Sequence, residues 1–167
     1  MDNSRLDLIR RKNIGAGNRE RYMQELRDFG VSSSLANFLP LEESDRIRHH
    51  IGKVFVGRDT MMSGVLEKRF PFKDIENMPD IIPSGDEDVF VVPWNADIVG
   101  ILKWPVSVLN KSWKRLIQLE PDGLIVVDCN FTSKIVIQVV DDSVEKELDF
   151  GVWGGHWSSY LSKVVKQ

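Results

Sequence analysis

One cysteine, Cys129, stands in a chain of 167 residues. It leaves no internal disulfide and no cysteine-based zinc site, and it fits a reducing compartment. No run approaches the roughly 18 apolar residues of a membrane span. The opening Met1-Asp2-Asn3-Ser4-Arg5 has no apolar core, so a secretory signal is not expected. Histidines number only three and never stand four apart, which removes the helical zinc pair. No glycine-rich loop is followed by Lys-Ser or Lys-Thr, so the P-loop fails, and the dinucleotide fingerprint fails with it. Disordered, collagenous and coiled-coil compositions are excluded by a hydrophobic share of 42% and a charged share of 28%. Location in the cytosol, with no cofactor, no metal and no membrane contact, is the expectation.

Charge is divided unevenly. Residues 1–83 hold 14 basic and 13 acidic side chains, whereas residues 84–167 hold 8 and 12. Arg115 is the one arginine of the second half. Acidic groups gather at Asp86-Glu87-Asp88, at Asp141-Asp142 and at Glu145. An acidic chain is a poor sequence-independent ligand for nucleic acid, but a local acidic surface steers basic partners.

The first half reads as short helices. Ser4 opens one through Lys12 with Leu6 and Ile9 on a face, and Gly15-Ala16-Gly17 breaks it. Asn18 caps the next, with Tyr22, Met23, Leu26 and Phe29 at helical spacing and Gly30 as the stop. Ser32-Ser33-Ser34 begins a short helix with Leu35, Phe38 and Leu39, closed by Pro40. Ser44 caps another carrying Ile47 and Ile51. Val54-Phe55-Val56 reads as a strand, and Met62, Val65, Leu66 and Phe70 as a further helical turn or two. Residues 71–88 are irregular.

The second half reads as strands. Val89–Val92 and Ile98–Leu102 form a hairpin across five loop residues. Val106, Leu109, Trp113, Leu116 and Ile117 make one stripe of an amphipathic helix, with Pro105 as its first residue. Leu124–Val127 is apolar throughout, which marks a central strand buried on both faces. Residues 135–140 and the alternating Leu148, Phe150 and Val152 complete the sheet. Trp157, Tyr160 and Leu161 belong to a closing helix. The expected fold is α+β in a single domain. A mainly antiparallel sheet of about five strands occupies the C-terminal half (about 84–167), with one amphipathic helix inserted between strands. The helical N-terminal portion (about 1–83) covers one of its faces.

Chemical candidates are few. Gly15-Ala16-Gly17-Asn18 reads as a turn between helices. His49-His50 point about 100° apart on a helix and suit a surface. Cys129 follows Asp128, which disfavours a thiolate, so it reads as a buried structural thiol. His156 with Asp149 or Asp128 is the seed of an alternative, enzymatic reading. Arg10, Arg11, Lys12, Arg19 and Arg21 seed a nucleic-acid reading, weakened by the interleaved Asp7, Glu20 and Glu25. Trp94 sits in a hairpin loop as either core or binding anchor.

From Trp104 to Trp153 the chain holds Ser112-Trp113-Lys114, then Pro121-Asp122-Gly123-Leu124-Ile125-Val126-Val127-Asp128, then Phe131 and Ile135-Val136-Ile137. This stretch resembles the small cytosolic immunity proteins of bacterial toxin systems, such as those of contact-dependent growth inhibition. The arginine-rich first half departs from their acidic pattern. The resemblance implies a non-catalytic α+β protein that binds and neutralises a cognate toxin. A nuclease-type toxin carries a basic surface, so the expected docking residues are Asp86, Glu87, Asp88, Trp94, Asp141, Asp142 and Glu145.

Overall fold

The structure, a computed structural model, describes residues 3–28, 30–31, 38–55, 66–120, 122–141 and 145–164. Its elements in order are α1 (Asn3–Asp28), α2 (Leu41–Val54), β1 (Leu66–Pro71), a 3₁₀ helix (Phe72–Asn77), β2 (Asp88–Pro93), α3 (Ala96–Val99), β3 (Leu102–Pro105), α4 (Val106–Leu119), β4 (Gly123–Asp128), β5 (Lys134–Asp141), β6 (Lys146–Trp153) and α5 (Gly155–Val164). The fold is α+β around an antiparallel sheet of six strands in the order β1-β6-β5-β4-β2-β3.

The stripe of α4 does what its spacing predicts. Val106, Leu109, Trp113, Leu116 and Ile117 are all buried. They pack on one sheet face with Leu124, Val126, Ile135 and Ile137, joined by Trp157 and Leu161 of α5. Pro105 ends β3 and stands just ahead of α4 rather than inside it. The irregular stretch beyond the 3₁₀ helix supplies Ile81 and Ile82, both fully buried. Asn110 of α4 pins it, donating to the Ile82 carbonyl at 2.9 Å.

Several expectations are corrected. The sixth strand, β1, comes from the N-terminal half. Leu66 and Phe70, four apart, imitate a helical period, but pairing with β6 wins, and Phe70 meets the Phe150 ring edge-on at 5.6 Å. Gly15 does not break a helix. The α1 helix runs through it because the site demands a missing side chain: a Cβ there would collide with the Ile98 carbonyl of α3. Glycine costs a helix about 1 kcal/mol, and flanking contacts offset it. Arg11 grips Asp45 of α2 at 2.7 and 3.0 Å and the Asp97 carbonyl at 3.0 Å. Arg19 donates to the Val99 carbonyl. Leu6 and Ile9 stay exposed.

The β2–β3 hairpin is antiparallel, but its loop contains the α3 turn, and β3 starts only at Leu102. The first-half helices do not share one face. Tyr22 and Leu26 of α1 join the α4 core, while Ile47, Ile51 and Phe55 lie on the opposite face with Val127 and Trp153. The Ser44 hydroxyl is no cap. It lies inside α2, which starts at Leu41, and accepts the Ile101 N–H at 3.0 Å. Val54 closes α2 and Phe55 follows it as a buried helix end, so no strand starts there; Val56 lies outside the described residues, as do residues 32–37, Met62 and Val65.

Candidate partner-binding surface

Strand direction separates the expected docking residues. Asp88 opens β2 and Trp94 follows its last residue. Six residues at about 3.3 Å each put them roughly 20 Å apart. Register carries the division across the sheet. Pro93 pairs with Leu124, Gly123 with Gln138, and Asp141 with Lys146, so Trp94, Asp122, Asp141 and Glu145 belong to one end. Asp86, Glu87 and Asp88 belong to the other, beside Asp128. The seven residues therefore do not make one surface, and Asp142 lies outside the described residues.

At the far end one of the three carboxylates holds a basic partner. Asp88 pairs with Lys103 at 3.2 Å, and the Glu87 carbonyl accepts the Val106 N–H at the start of α4. Asp86 is exposed beside a polar hollow shared with Asp80, Ser107 and Lys111. At the near end Glu145 pairs with Lys73 at 2.6 Å, and Asp141 is exposed.

Trp94 is 64% exposed. Its backbone N–H donates to the Glu120 carboxyl at 3.2 Å, so the bend that presents the indole is tied to the end of α4. Glu120 is itself buried at 3% exposure, faced by the Tyr22 hydroxyl. Beside Trp94 a cleft of about 350 Å³ opens along the sheet face that α4 does not cover. Ile125 and Val136, a cross-strand pair, and Gln138 line it, Asp122 flanks it, and Lys134 and Trp153 close its far end. Lys134 is buried, with its ammonium 4.4 Å from the Trp153 ring centre and 4.9 Å from that of Phe55. The expectation that β4 is buried on both faces thus fails at Ile125, which is only half-buried.

Burial pushes the Glu120 carboxyl above the usual carboxylate range, and Asp122 adds to the rise, against the opposing hydrogen bond from the Trp94 N–H. The sign of the linkage follows. The folded chain holds this proton more tightly than the unfolded one, so the cost of ionising Glu120 is absent below about pH 4 and imposed as pH rises through the raised value. Glu120→Gln, which keeps an acceptor for Trp94, should therefore gain stability relative to the parent as pH rises. Urea unfolding at pH 4 and pH 7.5 checks it; a variant whose relative stability falls with pH contradicts the assignment.

The remaining candidates are placed as follows. His156 is exposed on the first turn of α5. Neither proposed acid partners it. Asp128 accepts the Thr132 and Ser133 N–H groups at 2.7 and 2.8 Å and the Thr132 hydroxyl at 2.6 Å, closing the β4–β5 turn. Asp149 receives Arg69 at 2.5 and 2.8 Å. Cys129 is half-buried rather than buried, and burial raises its thiol. His49 and His50 are exposed, with His50 edge-on to Phe131 at 4.4 Å. The basic residues of α1 make no clean stripe. Arg11 and Arg19 turn inward, Lys12 pairs with Glu42 at 2.6 Å, Arg21 pairs with Glu25 at 3.5 Å, and Arg10 is exposed.

Among the described residues no group of three or more His, Cys, Asp or Glu could hold a metal ion, and no helix is long and apolar enough to cross a membrane. Sequence reasoning found Trp94 but missed Asp122, Gln138 and the half-open Ile125–Val136 pair. One signal was available: Lys134, Val136 and Gln138 alternate with Ile135 and Ile137, which places polar groups on one face of β5. No protein family, curated protein or solved structure matches the chain.

Proposed function

We propose that this chain is a non-catalytic binding protein of the cytosol, an immunity protein that neutralises a nuclease-type toxin through the Trp94 end of its sheet. One observation carries the reading: an indole 64% exposed, on a bend whose backbone N–H is tied to a buried carboxyl, at the mouth of a largely apolar cleft. Tryptophan is enriched where partners anchor, and an indole left in water on a tied bend gains by being covered. The charge of that end supports the partner's chemistry. Asp122, Asp141 and Glu145 are exposed there, and a nuclease must present cations to phosphate.

Co-expression with nuclease-type toxin domains tests it. Rescue of growth together with a stable complex is expected from the cognate toxin, and failure to rescue or to bind any of them removes the reading. Charge should govern the encounter. Asp141→Lys with Glu145→Lys should slow association severalfold and leave the fold intact, because both side chains are exposed. Asp86→Lys with Glu87→Lys, at the opposite end, should leave the rate near that of the parent. Raised salt should slow the parent in the same direction as the first pair. Association rates against ionic strength decide it, and equal slowing by the two pairs would contradict the choice of end.

A further inference from the structure

The aromatic rings of this fold repeatedly carry a cation. Lys134 lies over Trp153 and Phe55, Lys114 over Trp113, Lys146 over Phe72, and Arg19 over Phe38. Among the described residues none lies over Trp94, the most exposed of the large hydrophobic side chains. Its neighbour in the cleft is a carboxylate in the same condition. Asp45, Asp88, Glu145 and Asp149 each hold a basic partner, but Asp122 forms no ion pair among the described residues. An indole face and a carboxylate, both without a cation and both lining one cleft, are the two halves of a guanidinium site.

We infer that the cleft receives an arginine side chain of the partner, its guanidinium stacked on Trp94 and paired with Asp122. This rests on the reading of the Trp94 end as the docking surface. Arginine fits better than lysine for physical reasons. Its planar head stacks on an indole and still offers N–H groups in its own plane to a carboxylate. Its methylene stem gains by lying on apolar surface, which Ile125 and Val136 supply. The Gln138 side chain, on the strand next to β4, offers a further carbonyl acceptor at the same end. The buried ammonium of Lys134 closes the far end of the cleft to a second cation. The incoming head is thereby kept at the mouth beside Asp122.

The probe is the peptide acetyl-Val-Arg-Val-amide, titrated into the ¹⁵N-labelled protein up to the low millimolar range. Its control replaces arginine with citrulline, which keeps the shape and loses the charge. The arginine peptide should move the Trp94 indole N–H and the backbone amide of Asp122. The citrulline peptide, and the arginine peptide on Asp122→Asn, should bind about tenfold more weakly. Equal responses to the two peptides, an unmoved Trp94 indole, or an Asp122→Asn protein that binds as the parent does would each overturn the inference. The test needs no toxin, so the two readings fail separately. An arginine response at Trp94 with no rescue by any toxin removes the toxin and keeps the arginine site. Full toxin affinity in a Trp94→Ala, Asp122→Asn protein removes the arginine site and keeps the binding protein.

Discussion

Trp113→Ala is expected to destabilise the protein by about 3–5 kcal/mol, the usual loss for a large aromatic removed from a core. Trp113 has no exposed surface and stands where the α4 stripe meets the centre of the sheet. Its ring meets Phe150 of β6 edge-on at 6.0 Å, so it joins the inserted helix to a strand two positions beyond β4 in the sheet. The indole nitrogen has no hydrogen-bond partner. The loss is therefore one of volume and contact, and Trp113→Phe should recover a large part of it. Urea midpoints of the three proteins measure this. An alanine variant that melts like the parent would mean that α4 does not pack on this sheet.

Gly123→Ala should cost at least about 3 kcal/mol, adding strain to lost pairing. Gly123 has φ +111, a conformation open to glycine and strained for any residue with a Cβ. A Cβ there would also run into the Ile137 carbonyl across the β4–β5 pair. Backbone cannot step aside as a side chain can, so the ladder must part at the Trp94 end of the sheet. Gly17→Ala is the control, since nothing stands within 4 Å of a Cβ at that helical position; it should match or exceed the parent. Thermal unfolding of both variants decides, and equal behaviour would refute the assignment of Gly123 as a close-contact position.

What could be read from the sequence followed the range of each interaction along the chain. Local periodicity announced α4, and its partners in β4 and β5 followed from unbroken apolar runs, because helix stripe and strand burial depend on neighbours in the chain. Gly15 was misread as a helix break because its reason is a carbonyl 83 residues away in α3. The short apolar spacing of β1 fits both periods, and only pairing with β6 selects the strand. The site was half legible for the same cause. Trp94 stands out by type, and the acidic clusters by composition. That Asp122 belongs with Trp94, and Asp88 does not, depends on the direction and register of β2 against β4. The split of the acidic residues between two ends of the sheet is a property of topology that no local pattern carries.

The clasp between α1 and α3 also sets an order of assembly. Arg11 reaches the Asp97 carbonyl across 86 residues, and Arg19 reaches Val99 across 80. Strands β4, β5 and β6 are neighbours in sequence and in the sheet, only a few residues apart along the chain. Closing a loop costs entropy that grows with its length, so the meander should form first and α1 should dock onto a sheet already made. The N-terminal half of α1 leaves Leu6, Ile9 and Ile14 exposed and holds on through the Arg11 guanidinium. That end of the helix is thus the last part to close and the first to open, and it can swing away without wetting the core beneath α4.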